Sequence, residues 1–451
     1  MSSSHRSVLR RLVRLAWPVL IAQVAVVLNG VIDTVMAGRL SALDLAAVGI
    51  GASIYIAVFV SCMGVLLALT PTIAHLYGAG RSADIGEEVR QSAWLGVGLS
   101  VVGTALLWHP EPFLALSQLT PAVEAKVRAY LQAISWGVAP SLAFRIFYGF
   151  MSGVGRPRAV MMFNLFGLMA KIPLNLVFMY RLDMGAAGCA ASTSAISWLL
   201  ALLAWGWCCR QADCAEFGIF ARLTRPQPAA IGALLRLGLP IGATFLVDVT
   251  SFTFMALFIA RLGPVTSAAH QIAANLAVLC FMLPLSVGQA ALVLSGHALG
   301  ASDPVAARRA GLIGLAMGFS VSIGVSTLLK AGAGFLAALY SPDRAVQALA
   351  TTLVGIVAFY HVADSVQAVS VNVLRGYKKT TVPMLAYAIS LWGVGLGGGY
   401  LLGLTNVLGP ARGAAGFWQA ATCSLVLAGA IVLVYFLRVS RVAAVSGPPQ
   451  T

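Results

Sequence analysis

Apolar runs of roughly 20 residues or more recur from one end of this 451-residue chain to the other. A helix needs about 20 such residues to cross the hydrocarbon core of a bilayer. The pattern therefore reads as an all-α integral membrane protein with many spans. A transmembrane barrel would show short alternating strands instead. Charged residues make up 10% of the chain, against about 25% in a soluble domain. The 46 glycines and 19 prolines suit membrane helices that pack closely and break in places.

Twelve spans are predicted, near 15–37, 45–70, 90–109, 128–149, 159–179, 186–208, 237–260, 267–294, 310–332, 347–371, 382–404 and 414–437. Of the 29 Lys and Arg residues, 19 fall at the termini and in the even-numbered connections, and 8 in the odd-numbered ones. Positive charge accumulates on the cytoplasmic side, so both termini are expected in the cytoplasm, as an even number of spans requires. The net charge of +15 is then a matter of topology and anionic lipid, with no aromatic-basic motif for nucleic acid. Arg6, Arg10, Arg11 and Arg14 precede an apolar run, as in a signal peptide. That run is long, contains Asp33 and lacks a cleavage site, so it reads as the first span with a cytoplasmic anchor. Seven cysteines show no metal-ligand spacing and read as packing residues or free thiols.

The chain repeats itself. LVRLAWP at 12–18 matches LLRLGLP at 234–240, an offset of 222 that lays Arg14 on Arg236 and Pro18 on Pro240. At the same offset RLSALDLAAVGIGA (39–52) lies over RLGPVTSAAHQIAA (261–274), and His75 over His297. The expected organisation is two pseudo-symmetric six-helix lobes, residues 1–208 and 231–451, joined by a cytoplasmic linker at 209–230. Six spans per lobe make the repeats parallel, an arrangement in which one half of a transporter moves against the other.

Three acids break that symmetry. Asp33, Asp248 and Asp364 stand inside the first, seventh and tenth spans; their repeat partners are Met255 and Val26 at the offset of 222, and Ala143 at the shift of 221 that Gly155 and Gly376 mark further along. An acid at mid-membrane costs about 2.5–3.5 kcal/mol, so acids kept in one half each point to binding of cations or protons.

Several stretches together carry a family resemblance: IDTVMAGRLSALDLAAVG (32–49), GVLLALTPTIAHLYGAG (64–80), KIPLNLVFMY (171–180), GLPIGATFLVDVTSF (238–252), SAAHQIAANLAVLCFMLPLSVGQA (267–290) and ADSVQAVSVNVLRGYK (363–378). The chain resembles, over about 10–440, the multidrug and toxic compound extrusion (MATE) transporters of the NorM branch. The resemblance implies two six-helix lobes that export organic cations against an inward flow of Na⁺ or H⁺. By position it assigns coupling roles to Asp33, Asp248 and Asp364, with Tyr360 one turn before Asp364 and Asn175 in the IPLN motif.

The neighbours of each acid suit that chemistry. Asp364 has Tyr360, His361 and Gln367 within one helical turn. A carboxylate, a π face and an amide oxygen can hold a partly dehydrated monovalent cation. His361 either tunes the proton affinity of Asp364 or acts as an interhelical donor. Asp248 has Thr244 and Ser251 within a turn, oxygens that suit Na⁺ as well as H⁺. A Na⁺ site built from Asp248, Asp364 and Tyr360 is therefore expected in the C-terminal half. Asp33 has Asn29 one turn earlier and is a candidate for a separate protonation site.

Lys171 departs from the family, which usually carries an uncharged polar residue there. A buried ammonium needs a counter-charge, and because the resemblance places the first and fifth spans in one lobe, Asp33 is the expected partner; the alternative is a lysine that snorkels or faces a watery cavity. Arg145 receives no role. Phe252, Phe254, Met255, Phe281 and Met282 are candidates for an adaptable drug cavity.

The expected function is cation-coupled antiport of amphipathic organic cations, by one chain acting as a monomer in a bacterial inner membrane, with no cofactor besides the coupling ion. A flippase for a lipid-linked precursor is the alternative, but holding a pyrophosphate would call for cavity cations where this chain has acids. No HExxH or GxSxG motif points to an enzyme.

Overall fold

In a computed structural model of the chain, residues 3–117, 119–222 and 224–446 are described, and they contain helices and no strand. The long helices are α1 (Ser3–Leu40), α2 (Ala42–Gly78), α3 (Ser82–Trp108), α4 (Pro121–Ser135), α5 (Val138–Gly153), α6 (Pro157–Arg181) and α7 (Gly185–Arg210). After them come α8 (Pro228–Ala260), α9 (Pro264–Gly300), α10 (Pro304–Tyr340), α11 (Arg344–Gly376), α12 (Thr381–Leu404) and α13 (Ala414–Ser446). Proline opens α4, α6, α9 and α10, where its missing N–H is one that no helical carbonyl would have received. The side chains of Asp303 and Asp343 cap α10 and α11 by accepting from their first amides.

Among the described residues, 11 helices are long and apolar enough to cross a membrane. The fourth predicted span, near 128–149, differs. It forms two helices, α4 and α5, that part at Trp136 and Gly137, and the first of them carries Glu124, Lys126 and Arg128. Helix α2 breaks at Leu67 and Ala68, since Pro71 supplies no N–H to the Leu67 carbonyl. Helices α6 and α12 widen into π-helix over Leu176–Arg181 and Ile389–Gly397, a distortion that occurs often at functional sites.

The chain forms two compact units, Ile21–Gly242 on one hand and Met1–Leu20 with Ala243–Thr451 on the other. These units are set by packing, whereas the division expected at 208 and 231 follows the internal repeat. Each unit takes the opening segment of the other half's first helix. The crossings fall after Leu20 and after Gly242, separated by the repeat offset itself. Each follows a helix-interior proline, Pro18 or Pro240, where the backbone ladder lacks a bond and the helix can turn.

Packing confirms the exchange. Leu12 (0% exposed) and Ala16 belong to a core with Val287, Val369 and Phe436, and Leu234 belongs to the core of Ile21–Gly242. Gly238 permits the second approach, because a Cβ there would stand 2.3 Å from the Val65 carbonyl oxygen. The expected linker at 209–230 is likewise packed down. Phe217 is buried edge-on against Phe150 at 5.3 Å, and Arg90 donates to the carbonyls of Gly218 and Ile219. Trp94 and Gln91 hold the Thr224 and Arg225 carbonyls.

Candidate functional site

In the unit Ile21–Gly242, Asp33 stands in a network drawn from α1, α6 and α7. Lys171 on α6 is 1% exposed, and its Nζ lies 2.8 Å from Asp33 Oδ1 on α1. The same ammonium donates to Thr193 Oγ1 at 2.5 Å and Ser192 Oγ at 3.2 Å, both on α7. All three of its protons therefore have acceptors. Asn175, one turn along α6 from Lys171, donates through Nδ2 to Asp33 Oδ1 at 2.8 Å. Its Oδ1 accepts from the Ser192 hydroxyl. The Tyr180 hydroxyl, in the π-helical stretch, donates to the Met36 carbonyl at 2.9 Å and ties α6 to α1 once more.

The expected pairing of Lys171 with Asp33 is thus present, and the snorkelling alternative is not, for Lys171 is wholly enclosed. Asn29 does not join the network; its Oδ1 is buried without a partner. Ser192 and Thr193 were not anticipated. Their signal was the run STS at 192–194 inside an otherwise apolar helix. Arg145, in the same unit, stacks over the Tyr148 ring at 4.8 Å.

The second acid centre lies within Ala243–Thr451. Asp364, Tyr360, His361 and Gln367 are all buried on α11. Asp248 on α8 accepts a hydrogen bond of 2.7 Å from the hydroxyl of Tyr387 on α12. Asp248 and Asp364 lie within each other's Coulombic field, and Tyr360 and Tyr387 lie in the field of both. Among the described residues no Lys or Arg forms an ion pair with either acid.

Aromatic rings wall this centre. Tyr360 meets Trp418 edge-on at 5.5 Å and Phe252 at 6.5 Å, and His270 lies 5.8 Å from Trp418. A cavity of about 30 Å³ opens beside Tyr360, lined also by Ser251, Phe252, Met255 and Ser424. That is about the volume of one water molecule. The buried Ser251 Oγ, Ser390 Oγ and His361 Nε2 have no hydrogen-bond partner, so the polar capacity here exceeds what the protein itself fills.

Three expectations change in detail. Ser251 does not bond Asp248; its hydroxyl stands free at the cavity wall. His361 makes no interhelical bond through Nε2. Of the residues suggested for a drug cavity, Phe252 and Met255 line this small space, while Phe254 is 47% exposed. Thr244 is buried on α8 one turn before Asp248. At this centre the residue that sequence reasoning missed is Tyr387. It is 139 positions from Asp248, and nothing local in AYAIS marks it as the partner of an acid.

Two stretches of the chain, 18–177 and 240–401, match the MatE family, and their starting points are set apart by the offset of the internal repeat. The chain is 40% identical over 439 residues to the probable multidrug resistance protein NorM of Aromatoleum aromaticum, covering 95% of this chain and 94% of that one. It is 35% identical over 441 residues to the multidrug resistance protein PmpM of Pseudomonas aeruginosa, covering 97% and 92%. In fold it is similar to the crystal structure of the eukaryotic MATE transporter AtDTX14, with a TM-score of 0.89 at 16% identity, covering 98% and 99% of the two chains.

Proposed function

The chain belongs to the MATE family of multidrug efflux transporters, and on that premise we propose that it is an antiporter that exports amphipathic organic cations in exchange for Na⁺ or H⁺. The observation that carries this reading is the centre around Asp364. Two carboxylates inside apolar helices, Asp248 and Asp364, share one electrostatic environment with no ion-paired Lys or Arg beside them among the described residues. In an apolar setting such a pair favours whatever cation can reach it.

The exchange follows from competition. Ion or proton binding neutralises the acids, and an organic cation competes for the same charge. Export needs only that each ligand favour a different facing state, in an alternating-access cycle. Asp364, Asp248 and Tyr360 form the binding face for the ion. Tyr387 orients Asp248 through its hydroxyl, and Ser251 supplies a further oxygen at the cavity. In the other unit the ammonium of Lys171 neutralises Asp33, so ion exchange is assigned to the Asp364 centre.

The proposal keeps twelve spans, with α4 and α5 together as the fourth, both termini in the cytoplasm, and one chain as the working unit in a bacterial inner membrane. The test is efflux of a fluorescent organic cation from proteoliposomes under separately imposed Na⁺ and pH gradients, for wild type and Asp364→Asn. Efflux driven by one gradient in the wild type, and absent from the variant, is the expected result and names the ion. Folded wild-type protein that moves no cation under either gradient would defeat the antiport reading and favour lipid flipping.

A further inference from the structure

We propose that the groove formed by α10, α11 and α13 is a binding site for one anionic phospholipid, held by Lys330. The groove encloses about 730 Å³, within the range of roughly 300–1,000 Å³ typical of ligand pockets. It is graded along its length. Its polar groups, Ser326, Thr327, Lys330 and Thr422, gather toward one end. The other end, marked by Ile323, Val366 and Leu433, is wholly apolar.

Helix geometry places the gradient along the helix axes. Lys330 stands within about three turns of the end of α10 at Tyr340. Thr422 stands a little over two turns past the start of α13 at Ala414. A short connection joins α10 to α11, so these helices run antiparallel, and α13 runs in the direction of α11. Both polar groups therefore sit near the end of the bundle where α10 finishes and α13 begins. The apolar remainder runs toward mid-membrane. A polar head above an apolar tail is the shape of a membrane lipid.

Charge decides which lipid. Lys330 is exposed, and among the described residues its ammonium has no carboxylate partner; it rests over the Phe359 ring at 5.2 Å. Ser326 Oγ is shielded from solvent and has no hydrogen-bond partner. An ammonium and a free hydroxyl at a lipid-facing rim recognise a phosphate that keeps its negative charge. The same ammonium repels an organic cation, so this groove is not a second drug site. Its occupant packs on Ala363 and Val366, which flank Asp364 on α11.

Lipid retention tests the site independently of transport, so a failed antiport experiment leaves it standing and the reverse also holds. Purified protein in neutral detergent is offered phosphatidylglycerol and phosphatidylcholine with matched chains, and retained lipid is counted by native mass spectrometry. Wild type is expected to prefer phosphatidylglycerol by about fivefold to tenfold, the effect of one lysine near a headgroup. Lys330→Arg keeps that preference and Lys330→Glu removes it. Ala430→Phe, which fills the groove from its exposed wall, lowers retention of both lipids. Equal retention of the two lipids by wild type, or an unchanged preference in Lys330→Glu, overturns the proposal. So does selective retention of tetraphenylphosphonium that Ala430→Phe abolishes.

Discussion

Asp33 and Asp364 are both acids on apolar helices of a duplicated fold, yet their surroundings are opposite. Asp33 meets an ammonium and an amide on a single oxygen, and every proton of that ammonium is engaged. Asp364 has a neighbouring acid, two phenols and unfilled hydroxyls. The first arrangement is satisfied by the protein alone. The second leaves polar atoms without a partner among the described residues. Duplication supplied the frame twice, and the side chains filled its two copies differently.

The largest expected effect would break the comparison at its exchange side. Asp364→Asn removes gradient-driven efflux altogether while thermal unfolding in detergent stays near wild type, because no ion pair is lost. An unfolded or destabilised Asp364→Asn protein would mean that this acid is structural after all. The next effect has the opposite sign at the other centre. Lys171→Ala leaves Asp33 with an uncompensated charge and costs about 3–5 kcal/mol of stability, read as a lowered unfolding midpoint. Lys171→Met combined with Asp33→Leu recovers most of that loss, since apolar replacements of a buried pair are often neutral. If Lys171→Asn changes the ion or pH dependence of efflux, the strict division between the two centres fails.

Smaller changes sharpen the picture. Tyr387→Phe removes the hydroxyl that donates to Asp248, worth about 1.5–3 kcal/mol for a bond to a charged group. The ion concentration for half-maximal efflux should therefore shift by about tenfold to a hundredfold, with the fold intact. Ser192→Ala strands Asn175 Oδ1 and one Lys171 proton, for about 1–2 kcal/mol. Its unfolding midpoint should fall modestly with no change in coupling. A change in coupling instead would place Ser192 in the exchange machinery.

Much of this was legible in the residues. The acids stood out because a charge in an apolar run is expensive; a buried ammonium demands a counter-charge, and the family resemblance, which sets the first and fifth spans in one lobe, chose Asp33 for Lys171. The repeat showed itself through Arg14, Pro18 and His75 at a constant offset. Tyr387 was not legible, since a phenol serves equally well as core, lipid anchor or donor until the acid it faces is known. Ser251 looked like an oxygen for Asp248 on helical spacing alone, but its hydroxyl faces a cavity instead. The crossings at Leu20 and Gly242 were not legible, because a proline marks where a helix can turn, not which unit receives the segment beyond it.

By itself the sequence determined the class of solvent, the helical state, the duplication and the three acids, because hydropathy, charge and offset are properties of residues in a line. The exchange of segments at Leu20 and Gly242, the bond from Tyr387 to Asp248 and the graded groove at Lys330 were decided only by tertiary structure. Each depends on which helix faces bury against one another, and that choice is made by packing among residues far apart in the chain.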